Sequence, residues 1–204
     1  MTATAESRVT EPGTRAKIAV VALALAAILL IAALAGGDQT SHRSASGSFG
    51  WLRPAPPPAD WKVARIPDGA TLSYPPGWKP IRSDPGTATV ALIRDGDEIV
   101  GYLNVTPKQG PETLENWASF RPDHNRDEGD RSERVIASST GLPFRGGHGS
   151  CVIDDYTTSK ATYREIACLA AGSRSSAVVV AAAPIASWDE QAGTLRQAVS
   201  SFVP

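Results

Sequence analysis

Residues 18–35 are apolar throughout and contain no charge, Pro or Gly. A bilayer core takes about 20 such residues, with a tolerated range of roughly 17–25. A helix suits that environment because it satisfies its own backbone hydrogen bonds. Arg15 and Lys17 precede the run, and Gly36, Gly37 and Asp38 follow it. The positive-inside rule therefore predicts a cytoplasmic tail over 1–17, a membrane-spanning anchor over 18–35 and an extracytoplasmic remainder. The rival reading is a cleaved export signal, since Ala33-Leu34-Ala35 matches the small-x-small cleavage pattern. The run exceeds the roughly 7–15 apolar residues of a typical signal, which favours the anchor. A buried core helix is the remaining alternative; under either of the first two readings the rest of the chain crosses the membrane.

Residues 36–60 predict a linker. They begin rich in Ser and Gly and end in Pro54-Ala55-Pro56-Pro57-Pro58, a flexible coil passing into a stiffer spacer. In this reading Phe49 and Trp51 are incidental, or rest at the bilayer interface. From residue 61 to 204 the composition is that of one folded domain. Lys and Arg number 20 against 21 Asp and Glu, for a net charge of −1. That balance argues against a dedicated nucleic-acid binder, which carries a basic face. Two Cys are too few for a disulfide-built miniprotein or a four-cysteine zinc site.

The domain reads as strands, a helix, strands and a helix. Residues 70–74 form a short strand before the Pro75-Pro76-Gly77 turn. Residues 87–94 and 98–106 pair across Asp95-Gly96-Asp97, a hairpin-type turn. Gly110-Pro111 opens a helix with Pro at its first position. Leu114, Trp117, Ala118 and Arg121 follow at helical spacing, with Arg121 closing the apolar stripe, and residues 121–134 read as a charged loop. Residues 134–140 are a strand, 146–149 a turn, and 150–157 with 161–171 a hairpin. The apolar run 176–183 is short enough for a buried strand. Ser187 and Glu190 read as a capping box, followed by Trp188, Ala192, Leu195, Val199 and Phe202 along one helical face. Hairpins with helices laid on them predict an α+β domain with a central antiparallel sheet.

A two-residue loop at Ser159-Lys160 sets Cys151 opposite Cys168 and Asp155 opposite Arg164. Opposed Cα atoms lie about 4.5–5.5 Å apart, within disulfide range, so a structural disulfide is expected. Two free buried thiols are the alternative. A redox pair is disfavoured, because no Cys-x-x-Cys is present.

Catalytic and metal signals are thin. His148, Ser150 and Asp154 are close in sequence, but no Gly-x-Ser-x-Gly elbow surrounds a nucleophile. Residues 123–130 echo a calcium loop through Asp123, Asn125 and Asp127. Gly129 comes one position late, however, and Arg134 stands where the final Glu belongs. Asp97-Glu98 and Asp154-Asp155 are adjacent acids, which a strand points to opposite faces. Trp61, Tyr74, Trp78, Trp117 and Trp188 read as packing residues. No metal or cofactor is implied.

Tyr74-Pro75-Pro76-Gly77-Trp78 resembles the Tyr-Pro-x-Gly-Trp opening of the PsbP/Mog1-like superfamily. The late hairpin, the strand 177–183 and the helix from Trp188 to Phe202 are similar to its closing segment. The layout also resembles actinobacterial membrane-tethered domains, including sensor domains outside some receptor kinases. The resemblance implies a central antiparallel sheet with helices on its faces, and members that mostly bind partners or assist assemblies. It carries over no functional residue; Tyr74 and Trp78 match as fold residues. The expected function is a membrane-anchored, non-catalytic binding or accessory module of the cell envelope, contacting an envelope protein or small ligand. The alternatives are an exported hydrolase or an assembly factor of a membrane complex.

Overall fold

The structure, a computed structural model, describes residues 48–204. The tail, the apolar run and the first part of the linker lie outside the described residues. Among the described residues no helix is long and apolar enough to cross a membrane. Strands β1 (Lys62–Arg65) and β2 (Thr71–Tyr74) form a two-stranded sheet. A seven-stranded sheet follows, built from β3 (Lys79–Ile81), β4 (Ala88–Arg94), β5 (Glu98–Pro107), β6 (Arg131–Phe144), β7 (Gly147–Thr157), β8 (Thr162–Gly172) and β9 (Ser176–Pro184). Helix α1 (Trp117–Asp127) lies between β5 and β6 in the chain, and α2 (Ile185–Ser201) follows β9. The strand order is β3-β4-β5-β9-β8-β7-β6, and every neighbour is antiparallel.

Central strand β9 explains the layering. Its side chains alternate between faces, so an apolar strand covered on both sides must be apolar throughout. Ala177, Val179, Ala181 and Ala183 join the core under α2, with Leu195, Val199 and Phe202. Val178, Val180 and Ala182 join a second core under α1, with Trp117. The domain is thus an antiparallel sheet with one helix on each face. The hairpin register also holds: Cys151 pairs with Cys168, and Asp155 with Arg164.

Several local boundaries differ from the sequence reading. The structure shows packing from Phe49 onward, where the composition predicts linker. Phe49 and Leu52 are buried in the α2-side core, and the Ala55 N–H donates to the Ser200 carbonyl at 3.1 Å. The Arg196 guanidinium lies over the Trp51 ring, 5.7 Å from its centroid. These apolar side chains gain about 1.5–3 kcal/mol each by burial, which outweighs the coil tendency of their Ser/Gly/Pro neighbours.

Helix α1 starts at Trp117, later than Gly110-Pro111 suggests. Thr113 and Asn116 close a turn on each other first: Thr113 N–H donates to Asn116 Oδ1 at 2.7 Å, and Asn116 N–H to Thr113 Oγ1 at 3.2 Å. The helix then continues through residues expected to be loop. Its polar side chains pair along its own surface, His124 with Glu128 and Arg126 with Asp123. Helix α2 starts at Ile185, after an extended Pro184, so Ser187 falls inside the first turn and is not its cap. Glu190 pairs with Arg94 at 2.7 Å instead.

The Gly146–149 run is not one turn. Only Arg145 and Gly146 turn; Gly147, His148 and Gly149 belong to β7. A Cβ on Gly147 would stand 2.1 Å from the Ala171 carbonyl oxygen, so these glycines permit close strand approach.

Candidate functional site

Helix α1 lies over β6, β7 and β8, leaving the same face of β4 and β5 uncovered. On that face register aligns Thr89 with Asn104, and Ala91 with Tyr102 and Ala182. The result is a cleft of about 620 Å³ between α1 and the loop before β4. Its floor carries Thr89, Asn104 and Thr106, and its α1 wall carries Arg121, His124 and Glu128. Asn104 Nδ2 donates to Thr89 Oγ1 at 2.8 Å, bridging β5 to β4. A smaller apolar hollow of about 250 Å³ adjoins it, walled by Pro107, Trp117 and Phe120. The two share Thr106, Gln109, Arg121, His124 and Val178, so they form one cleft with a polar and an apolar end.

A buried ionic network fixes the wall. Arg121 Nε donates to Glu165 Oε1 at 2.7 Å and Nη2 to Oε2 at 2.9 Å, a bidentate pair. Glu165 is fully buried, and Asn125 Nδ2 also reaches its Oε1 at 3.4 Å. Burial opposes the Arg121 charge, but the adjacent Glu165 carboxylate more than offsets this, and its pKa stands above the ordinary value. The Tyr102 and Tyr156 hydroxyls share a hydrogen bond of 2.8 Å beside this pair. Burial, reinforced by nearby negative charge including Glu165, pushes both phenols well above the usual tyrosine range. They therefore stay protonated.

The opposite face carries a second network. Arg164 binds Asp155 through Nε at 2.7 Å and Nη2 at 3.0 Å, and Arg134 adds a contact at 2.9 Å. Arg164 also covers the Trp188 ring, 5.6 Å from its centroid.

Cys151 and Cys168 form a disulfide with Cα atoms 4.1 Å apart. Both are buried in the α2-side core, in register with Ser139 on one side and Val179 on the other. Their place is structural.

The other singled-out residues are not brought into a catalytic arrangement. His148, Ser150 and Asp154 share one face of one straight strand. At about 3.3 Å per residue, Asp154 stands roughly 13 Å from Ser150 and 20 Å from His148. The Ser150 hydroxyl instead donates to the Leu114 carbonyl at 2.5 Å, tying the approach to α1 onto β7. Asp123, Asn125 and Asp127 are helical, so their side chains fan around α1 and do not converge as calcium ligands. Among the described residues no group of His, Cys, Asp and Glu could hold a metal ion. Asp154 and Asp155 face opposite sides, as a strand requires. Tyr74, Trp78, Trp117 and Trp188 are buried packing residues, and Trp61 lies against the core.

Sequence reasoning missed the cleft. Its one local signal was Glu165, a carboxylate on the same face of β8 as the buried apolar Ala167 and Leu169, which demanded a partner from elsewhere.

No family model and no curated protein matches the chain. Solved structures do. The cyanobacterial PsbP protein (CyanoP) of Synechocystis superposes with a TM-score of 0.54 at 17% identity, over 71% of this chain and 92% of that one. PA94 of Pseudomonas aeruginosa, a protein of unknown function, gives 0.47 at 11% identity, over 72% and 98%. A mutant of the protein Mog1 gives 0.47 at 16% identity, over 70% and 95%. The CyanoP likeness shows that this chain has the PsbP-like fold. At such identity it shows the fold alone.

Proposed function

We propose that this chain is a non-catalytic binding or accessory module, held by residues 18–35 at the outer face of the cell membrane. The carrying observation is the open cleft beside α1, whose wall is held rigid by the buried Arg121–Glu165 pair. A pre-positioned polar surface binds without paying ordering entropy at each encounter. Arg121 is held by Glu165 and Asn104 is held against Thr89, an arrangement that suits recognition. The Cys151–Cys168 disulfide supports export, because such bonds persist in oxidising compartments. The partner in this reading is an envelope protein or small ligand.

The test is cross-linking on intact cells with a membrane-impermeant amine reagent, followed by mass spectrometry. Lys62, Lys79, Lys108 and Lys160 are exposed on the folded body. Labelling of these lysines with one recurrent cross-linked protein is the expected result. Labelled lysines without a partner move the reading toward a small ligand. No labelling, while a known outer-surface protein labels well, refutes the outward topology.

A further inference from the structure

The chemistry of the cleft narrows what it can hold. Two arginines, Arg82 and Arg121, line it against two carboxylates, Asp84 and Glu128. Arg121 is already neutralised by Glu165, which leaves Arg82 against Asp84 and Glu128 on the lining. A strongly anionic ligand therefore gains little. The floor is the interior of a sheet: β5 is paired with β4 on one side and β9 on the other. Its backbone is occupied, so an extended peptide finds no open strand edge there to extend. Recognition falls to side chains alone.

Those side chains offer mixed donors and acceptors at close range. Thr89 Oγ1 accepts from Asn104 Nδ2, which leaves the Thr89 hydroxyl proton to donate and Asn104 Oδ1 to accept. Arg121 uses Nε and Nη2 on Glu165; its Nη1 makes no hydrogen bond among the described residues. A ligand carrying several groups that both donate and accept suits all three, and hydroxyls are such groups. The wall above adds an aromatic column. Trp117 and Phe120 stack at 6.0 Å, and Phe120 and His124 at 5.8 Å.

We propose that the cleft binds an uncharged polyhydroxylated ligand, a carbohydrate. Its hydroxyls meet Thr89, Asn104 and Arg121, and its C–H face lies along the Phe120–His124 wall. This inference rests on the binding-module reading and deepens it.

The test uses the full chain in a polyoxyethylene detergent, which contains no sugar. Cellotriose, maltotriose and chitotriose are the neutral probes. Trigalacturonic acid and a neutral tripeptide are the competing chemistries. Binding is followed through the side-chain amide resonances of Asn104 and Gln109. At least one neutral trisaccharide is expected to shift them saturably. Its affinity should change less than about twofold between roughly 50 and 500 mM salt, because no ion pair is screened. Asn104→Ala should weaken it about tenfold, the loss of one or two hydrogen bonds, with the melting temperature lowered by no more than about 4 °C for the lost bond to Thr89. Two results overturn the proposal: shifts with the acid or peptide and none with the sugars, or no shift with any probe. If the sugars fail but a cross-linked envelope protein perturbs the same two resonances, the carbohydrate falls and the binding-module reading stands. Insoluble wall glycan that depletes the chain from solution would mark a polymer as the source; response to trisaccharides alone would mark free sugar.

Discussion

Replacing Glu165 by Gln tests whether the Arg121 charge depends on its buried partner. The substitution keeps the shape and removes the charge. Glu165 is completely buried, and the Arg121 side chain is 13% exposed. Removing one member of a buried pair costs about 3–5 kcal/mol, because the other is left uncompensated. Two features favour the lower end. The Arg121 guanidinium opens onto the cleft, and Asp154 also acts on it electrostatically. The expected loss is therefore about 3 kcal/mol. For a body of roughly 150 residues this corresponds to about 6–12 °C in melting temperature. Urea titration of the full chain, followed by tryptophan fluorescence, reads the loss directly. The double variant Arg121→Met with Glu165→Leu should recover part of that loss, since neither member of the pair is then left uncompensated, while the buried Asp154 loses the Arg121 charge and keeps the recovery short of the parent. A single-variant loss below about 1 kcal/mol, or a double variant no better than the single, would refute this account of the cleft wall.

Three further outcomes follow from the opposite face. Trp188→Ala should cost about 3–5 kcal/mol in the same titration, and a loss below about 1 kcal/mol would remove α2 as a core helix. Cys151→Ala with Cys168→Ala should lower stability by about 3 kcal/mol on chain-entropy grounds, and an unchanged melting temperature would mean the bond carries none. Burial raises the Asp155 pKa, but hydrogen bonds from Arg164 and Arg134 overcome it, and the folded-state value lies below the ordinary 3.8. The Asp155 contribution is therefore complete above the unfolded-state pKa and is lost as pH falls below it through the folded-state value. Asp155→Asn should flatten the stability–pH curve below about pH 4, measured against the parent; an unchanged slope there would refute the pairing.

Legibility in the sequence followed distance along the chain. The β7–β8 hairpin, its disulfide and the Asp155–Arg164 pair depended on one loop length and strict alternation, so they could be counted. The β9 run and the apolar face of α2 were equally local. Helix α1 was less legible because its second half is polar, held as a helix by pairing along its own surface and by the Arg121 and Asn125 bonds to the distant Glu165. The cleft was not legible beyond the lone signal of Glu165. It depends on β9 inserting beside β5, some seventy residues earlier, which leaves β4 and β5 bare on the α1 side. Thr89, Asn104 and Thr106 carry no motif; topology alone turns an ordinary polar strand face into a floor.

The packing of Phe49 and Leu52 on the α2 side has a mechanical consequence. Tension on the preceding chain enters the fold through this strap, whose Ala55 N–H is fastened to the last turn of α2. The load therefore falls first on the strap and on the Thr71–Val203 bridge that secures the C-terminus. Both lie away from the α1 face. A domain pulled from that end would yield at its seam while the strands beneath the cleft remained paired.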